Sequence, residues 1–149
     1  MNKVIFRAPT VMIAEDSQTI QFLYAKMLES IGFKIIGIAS NGQEAIELFN
    51  TFPQKPDFII MDHRMPLKNG IEVMEEIRKS DKTSNIIITS ADSTIKQEAL
   101  RLGAYKFLDK TFRLDTLKQL HDEFLENYRK IEITNSREFT NSRQKIKSF

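Results

Sequence analysis

Five side chains able to do chemistry follow short apolar runs in this chain: Glu15, Asp16, Asp62, Ser90 and Lys110. If their carboxylates came together they would repel one another, and their pKa values would rise unless a cation were present. Hard oxygen ligands that leave room for water suit magnesium, which prefers octahedral geometry and retains several waters. A bound metal could neutralise a phosphoryl group arriving at a neighbouring carboxylate, and carboxylates are nucleophiles in aspartyl-phosphate formation. Phosphoryl transfer asks for positioning and charge stabilisation more than for covalent help. The residue types divide accordingly. Asp62 is the candidate nucleophile, the acids are candidate metal ligands, Lys110 is a counter-ion for Asp62 or for a phosphoryl oxygen, and Ser90 is a hydroxyl donor.

Such a meeting requires a particular scaffold. Residues 58–61, Phe-Ile-Ile-Met, run unbroken into Asp62, and Pro66 and Gly70 follow before a helical pattern begins. A short continuous apolar run reads as a strand buried on both faces, the kind found in parallel sheets. Similar runs occupy residues 10–14, 34–39, 85–90 and, more weakly, 105–109. Between them lie helical patterns: one after Ser17 as N-cap and stopped by Gly32, one from Ala45 to Phe49 ending before Pro53, one on Ile71 to Ile77, and one from Ile95 to Leu102 closed by Gly103. A fifth, from Phe112, carries an apolar stripe at 117, 120, 124, 128 and 131. Five strands alternating with five helices predict an α/β fold, a doubly wound five-stranded parallel sheet covered on both faces. Its strands' carboxyl ends share one edge, where such sheets place ligands, and all five reactive residues fall there.

At 149 residues the chain is long enough for one well-buried domain. A net charge of +2 gives no electrostatic signature of nucleic-acid binding. The absence of cysteine excludes disulfides and thiolate metal sites and suits a cytoplasmic protein. No apolar run reaches the roughly 18 residues needed to span a bilayer. Residues 1–9 form an N-terminal leader, 10–131 the domain, and 132–149 a polar, mildly basic tail expected to be flexible because it offers little apolar surface.

The order and spacing of Glu15-Asp16, the segment Asp62 to Gly70 with Met65-Pro66, Ser90-Ala91 and Lys110 resemble the receiver domain of two-component response regulators over roughly Thr10 to Tyr128. The resemblance implies a flavodoxin-like fold that accepts a phosphoryl group on Asp62 from a sensor histidine kinase or a phosphotransfer protein. It implies magnesium held by Glu15, Asp16, Asp62 and the backbone carbonyl of Arg64, with Lys110 and Ser90 assisting. Ser90 and Phe107 stand at the family's switch positions: Ser90 moves toward the phosphoryl group and Phe107 rotates into the space left. The fourth helix, fifth strand and fifth helix would then present a changed surface to a downstream protein. Arg64 and Asp92 stand at the positions that tune phosphate loss, and their opposite charges suit a pair across the site mouth. Thr111 departs from the family, which usually has proline after the lysine. A cis bond before a non-proline residue costs about 2.5–4 kcal/mol, so a trans peptide is expected there.

The expected function is that of a stand-alone, chemotaxis-type or phosphorelay-type regulator with slow self-dephosphorylation and no separate substrate turnover, with no direct nucleic-acid partner and no membrane insertion. The alternative is a receiver-like scaffold or dimerisation module independent of phosphorylation. A phosphatase of the haloacid-dehalogenase type would need a second aspartate two residues after Asp62, where this chain has Arg64. His63 is expected to be structural or solvent-facing, and His121, in the last helix, to lie at the surface.

Overall fold

The apolar runs become strands, and their alternation explains why both faces of the sheet are covered. A computed structural model describes residues 7–147. Residues 1–6, most of the expected leader, and 148–149 lie outside the described residues. Strands β1 (Thr10–Ala14), β2 (Lys34–Ala39), β3 (Phe58–Asp62), β4 (Asn85–Ser90) and β5 (Lys106–Asp109) pair in parallel in the order β2-β1-β3-β4-β5. Helices α1 (Gln18–Ile31), α2 (Gly42–Thr51), α3 (Gly70–Arg78), α4 (Lys96–Arg101) and α5 (Leu114–Lys147) connect or follow them, with a 3-10 turn at Ser93–Ile95 leading into α4. This is the flavodoxin-like arrangement, with the order of connection reversing between β1 and β3.

Successive strand residues point to opposite faces. Met12, Ile59, Met61, Ile86 and Ile88 pack with Phe49 of α2, Val73 and Met74 of α3 and Ala99 of α4. Val11, Ile13, Phe58, Ile60 and Ile87 pack with Leu28 of α1 and Leu117 and Leu120 of α5. Each such side chain, fully buried, contributes on the order of 1.5–3 kcal/mol of hydrophobic stabilisation. Local chemistry sets the helix ends. The Ser17 hydroxyl accepts from the Ile20 N–H at the start of α1, and Gly32, at φ 115°, supplies the left-handed residue that stops it. Asn41 caps α2, and Asn69 with Glu72 forms a capping box on α3.

The structure differs from two expectations. The stretch from 132, expected to be a flexible tail, is helical: α5 runs unbroken from Leu114 to Lys147. Composition argued against a packed core there, and the side chains are indeed largely exposed. Yet Glu, Arg, Lys and Gln are good helix formers, and no glycine or proline interrupts the run. His121, expected at the surface, is half-buried, its ring meeting Phe33 edge-on at 5.3 Å between α5 and the end of α1. Among the described residues there is no cis peptide bond, so Thr111 follows Lys110 through a trans bond as expected.

Candidate phosphoryl and cation site

Main-chain bonds one residue beyond the strands level the edge on which the reactive residues stand. The Glu15 N–H donates to the Ala39 carbonyl at 3.0 Å, the His63 N–H to that of Thr89 at 2.9 Å, and the Lys110 N–H to that of Ser90 at 3.1 Å. These bonds tie β1 to β2, β3 to β4 and β4 to β5, and the β1–β3 pairing completes a row of strands that each become polar at this edge. Asp62, the last residue of β3, lies opposite Thr89, and Ser90 lies opposite Asp109.

There the carboxylates of Glu15, Asp16 and Asp62 converge, with one oxygen of each within 4.8 Å of the others. Glu15 and Asp62 are 1% and 2% exposed, whereas Asp16 is open to solvent. The Lys110 Nζ bridges the buried pair, 3.2 Å from Asp62 Oδ1 and 3.4 Å from Glu15 Oε2. Two further donors reach the acids: the Arg64 N–H lies 3.4 Å from Asp62 Oδ1 and the Ser17 N–H 3.3 Å from Glu15 Oε1.

Burial pushes the Asp62 carboxyl above its ordinary range, and Lys110 opposes that rise only in part. Burial raises Glu15 as well, the charge of Asp62 raises it further, and Lys110 again offsets part of the effect. The Lys110 ammonium is disfavoured by its own burial but held above its usual value by the two carboxylates. Three acids against one bridging ammonium leave the site short of positive charge. An all-oxygen, partly open donor set of this kind fits a hard divalent cation that keeps some of its water.

Around this centre, the Ser90 Oγ accepts from the Asp92 N–H at 3.0 Å, which ties the hydroxyl to the turn that starts the α4 segment. Arg64 Nη2 lies 3.6 Å from Asp92 Oδ2, so the expected ion pair across the mouth is present and solvent-exposed. Phe107 is half-buried against the α2–α4 side of the sheet. On the adjoining surface Leu100 and Tyr105 are exposed, and Glu123 of α5 receives both Lys106 Nζ at 3.6 Å and the Tyr105 hydroxyl at 3.4 Å. His63 is not solvent-facing at Nδ1, which is buried with no hydrogen-bond partner among the described residues.

Tyr24 of α1, which carries no motif in the sequence, also stands close to this centre. Its phenol is buried, and burial, followed by the nearby Glu15 charge, pushes its pKa up. A tyrosine where a leucine would serve was the available signal. Asp57, at the opposite end of β3, serves structure: it takes Arg7 Nη1 at 2.6 Å and the Thr10 N–H at 2.8 Å.

Comparison with known proteins agrees with this geometry. The family model described as response regulator receiver domain matches residues 11–122. The chemotaxis protein CheY of Thermotoga maritima is 34% identical over 105 residues, which cover 69% of this chain and 86% of that protein. The probable C4-dicarboxylate response regulator DctR of Priestia megaterium is 32% identical over 136 residues, 89% of this chain but 56% of that protein. The chain thus spans little more than half of one curated relative and most of the other. Among solved structures, the CheX–CheY–BeF3–Mg complex from Borrelia burgdorferi matches at a TM-score of 0.71 and 27% identity, over 76% of this chain and 86% of that one. Among the described residues no helix is long and apolar enough to cross a membrane.

Proposed function

The chain belongs to the response regulator receiver domain family, and from that premise we propose that Asp62 accepts a phosphoryl group in a magnesium-dependent reaction that switches a protein-binding surface. The donor is the phosphohistidine of a sensor kinase or a phosphotransfer protein. A carboxylate oxygen of Asp62 attacks phosphorus. The O–P bond forms as the N–P bond to the donor imidazole breaks, and the leaving nitrogen keeps the electron pair. The observation that carries this reading is the convergence of Glu15, Asp16 and Asp62 around a site that Lys110 neutralises only in part. Glu15, Asp16, Asp62 and the Arg64 carbonyl would hold magnesium, which when bound supplies charge neutralisation for the phosphoryl oxygens.

Lys110 orients Asp62 at rest and turns to a phosphoryl oxygen after transfer. Ser90 can donate its O–H to a second phosphoryl oxygen while still accepting from the Asp92 N–H. Any displacement of Ser90 toward the phosphate therefore pulls the start of the α4 segment with it. Phe107 rotates into the space released, and the surface of α4, β5 and α5 changes. The phosphate biases this two-state element only through contacts that differ between the states. The Arg64–Asp92 pair covers the mouth and hinders the water that would hydrolyse the acyl phosphate. The magnesium and beryllofluoride in the CheX–CheY complex support this chemistry by likeness.

Intact-mass analysis after incubation with an acyl phosphate tests the proposal. The native chain should gain one phosphoryl group with magnesium and none with chelator, and Asp62→Ala should gain none. A native chain that stays unmodified would favour a receiver-like scaffold independent of phosphorylation.

A further inference from the structure

The loop from β3 to α3 carries Asp62 and Arg64, and backbone contacts hold it at both ends. At the far end the Gly70 N–H donates to the His63 carbonyl at 2.9 Å, and a Cβ on Gly70 would come 2.6 Å from the Asp62 carbonyl oxygen. In the middle of the loop Leu67 adopts φ 71°, the one positive φ outside glycine among the described residues. A β-carbon disfavours that conformation, so surrounding contacts must impose it. Within the loop the Lys68 N–H donates to the Pro66 carbonyl at 2.9 Å, closing a tight turn on Leu67, and α2 packs against the same two flanking residues. The Gly42 N–H donates to the Pro66 carbonyl at 3.3 Å, and a Cβ on Gly42 would overlap the Lys68 carbonyl oxygen and lie 2.7 Å from its carbon. What blocks it is main chain, which cannot rotate away as a side chain can.

We propose that Gly42 is a positioning residue for the cation site. By letting the N-terminus of α2 close onto Pro66 and Lys68, it fixes the loop that offers the Arg64 carbonyl. The inference rests on the cation-site reading given under Proposed function. Glu15 and Asp62 are placed by ladder bonds of the sheet, so displacing the loop moves the Arg64 carbonyl relative to them. Magnesium demands near-ideal octahedral geometry with short bonds, whereas calcium accepts longer bonds and variable coordination. A loop locked by Gly42 therefore favours magnesium, and a released loop loses that preference.

Calorimetric titration of the full chain with magnesium and with calcium tests this. Gly42→Ala should weaken magnesium binding about tenfold, the scale seen when supports of metal ligands are removed, and calcium binding by clearly less. Gly37→Ala is the control. Its Cβ would meet the ends of two side chains, Leu48 of α2 and Phe52 just past its end, at 2.8 and 2.9 Å. It should lower thermal stability and leave both affinities alone. Should Gly42→Ala fail to fold, Leu67→Gly frees the loop without adding volume and should lower the magnesium-to-calcium ratio in the same direction. Native-like ratios in these loop variants overturn the inference while leaving the cation site standing. A native chain that binds neither metal overturns the cation site and this inference together.

Discussion

Lys110 stands between two buried carboxylates, so its removal leaves like charges facing each other without a bridge. Lys110→Met is expected to lower the urea-unfolding free energy by about 1–2 kcal/mol in chelator, below the usual penalty for an orphaned buried charge because the lysine side chain is 26% exposed. Added magnesium should recover part of that loss, while phosphorylation from an acyl phosphate should slow by about 10²–10³, the scale for losing one charge-stabilising donor. Asp81 gives the acid-side prediction. Burial would raise its carboxyl, but bonds from Thr83 and Ser84 outweigh that and hold it down at about 2. A depressed carboxylate stabilises the fold above its unfolded value near 4, and that contribution is lost as pH falls toward 2. Solvent screening reduces the expected loss to about 1 kcal/mol. Unfolding measured from pH 5 to pH 2 should therefore show a shallower acid limb in Asp81→Ala than in the native chain.

At the scale of elements, the parts legible in the sequence were those whose apolar period and punctuation agree. The unbroken apolar run of β3, the Ser17 cap and the Gly32 stop left little freedom, and Leu117 and Leu120 sat on a readable stripe. Leu117, fully buried against the α1 side of the sheet, should cost about 2–5 kcal/mol when truncated to alanine in urea unfolding. The distal half of α5 was misread because composition reports whether a segment can bury a core, and local helix propensity is a separate quantity. Ile131, Ile133 and Phe139 remain exposed there. Stopping the chain after Ile131 is accordingly expected to shift the melting temperature by less than about 2 °C, given how little burial is lost. A larger drop would mean that the distal helix packs on the domain. His121 was misplaced for a related reason: one polar residue in a stripe does not reveal that a ring of the neighbouring helix end awaits it.

For the whole molecule, the gathering of reactive residues on one sheet edge was legible because parallel strands must end together. The backbone packing of Gly42 on Lys68 and the burial of Tyr24 beside Glu15 were not, since both depend on distances between elements far apart in sequence. If magnesium binds the folded chain alone, a tenfold excess over its dissociation constant adds about 1.4 kcal/mol and raises the melting temperature by about 4 °C. Asp62→Ala should lose most of that response in a thermal scan. The central claim, a magnesium-dependent phosphoryl switch on Asp62, is tested most directly by backbone amide NMR with magnesium and beryllofluoride. Shifts at Ser90, Asp92, Phe107 and Lys110 in the native chain, absent in Asp62→Ala, are the predicted result. An unchanged native spectrum, or the same shifts without Asp62, would contradict it.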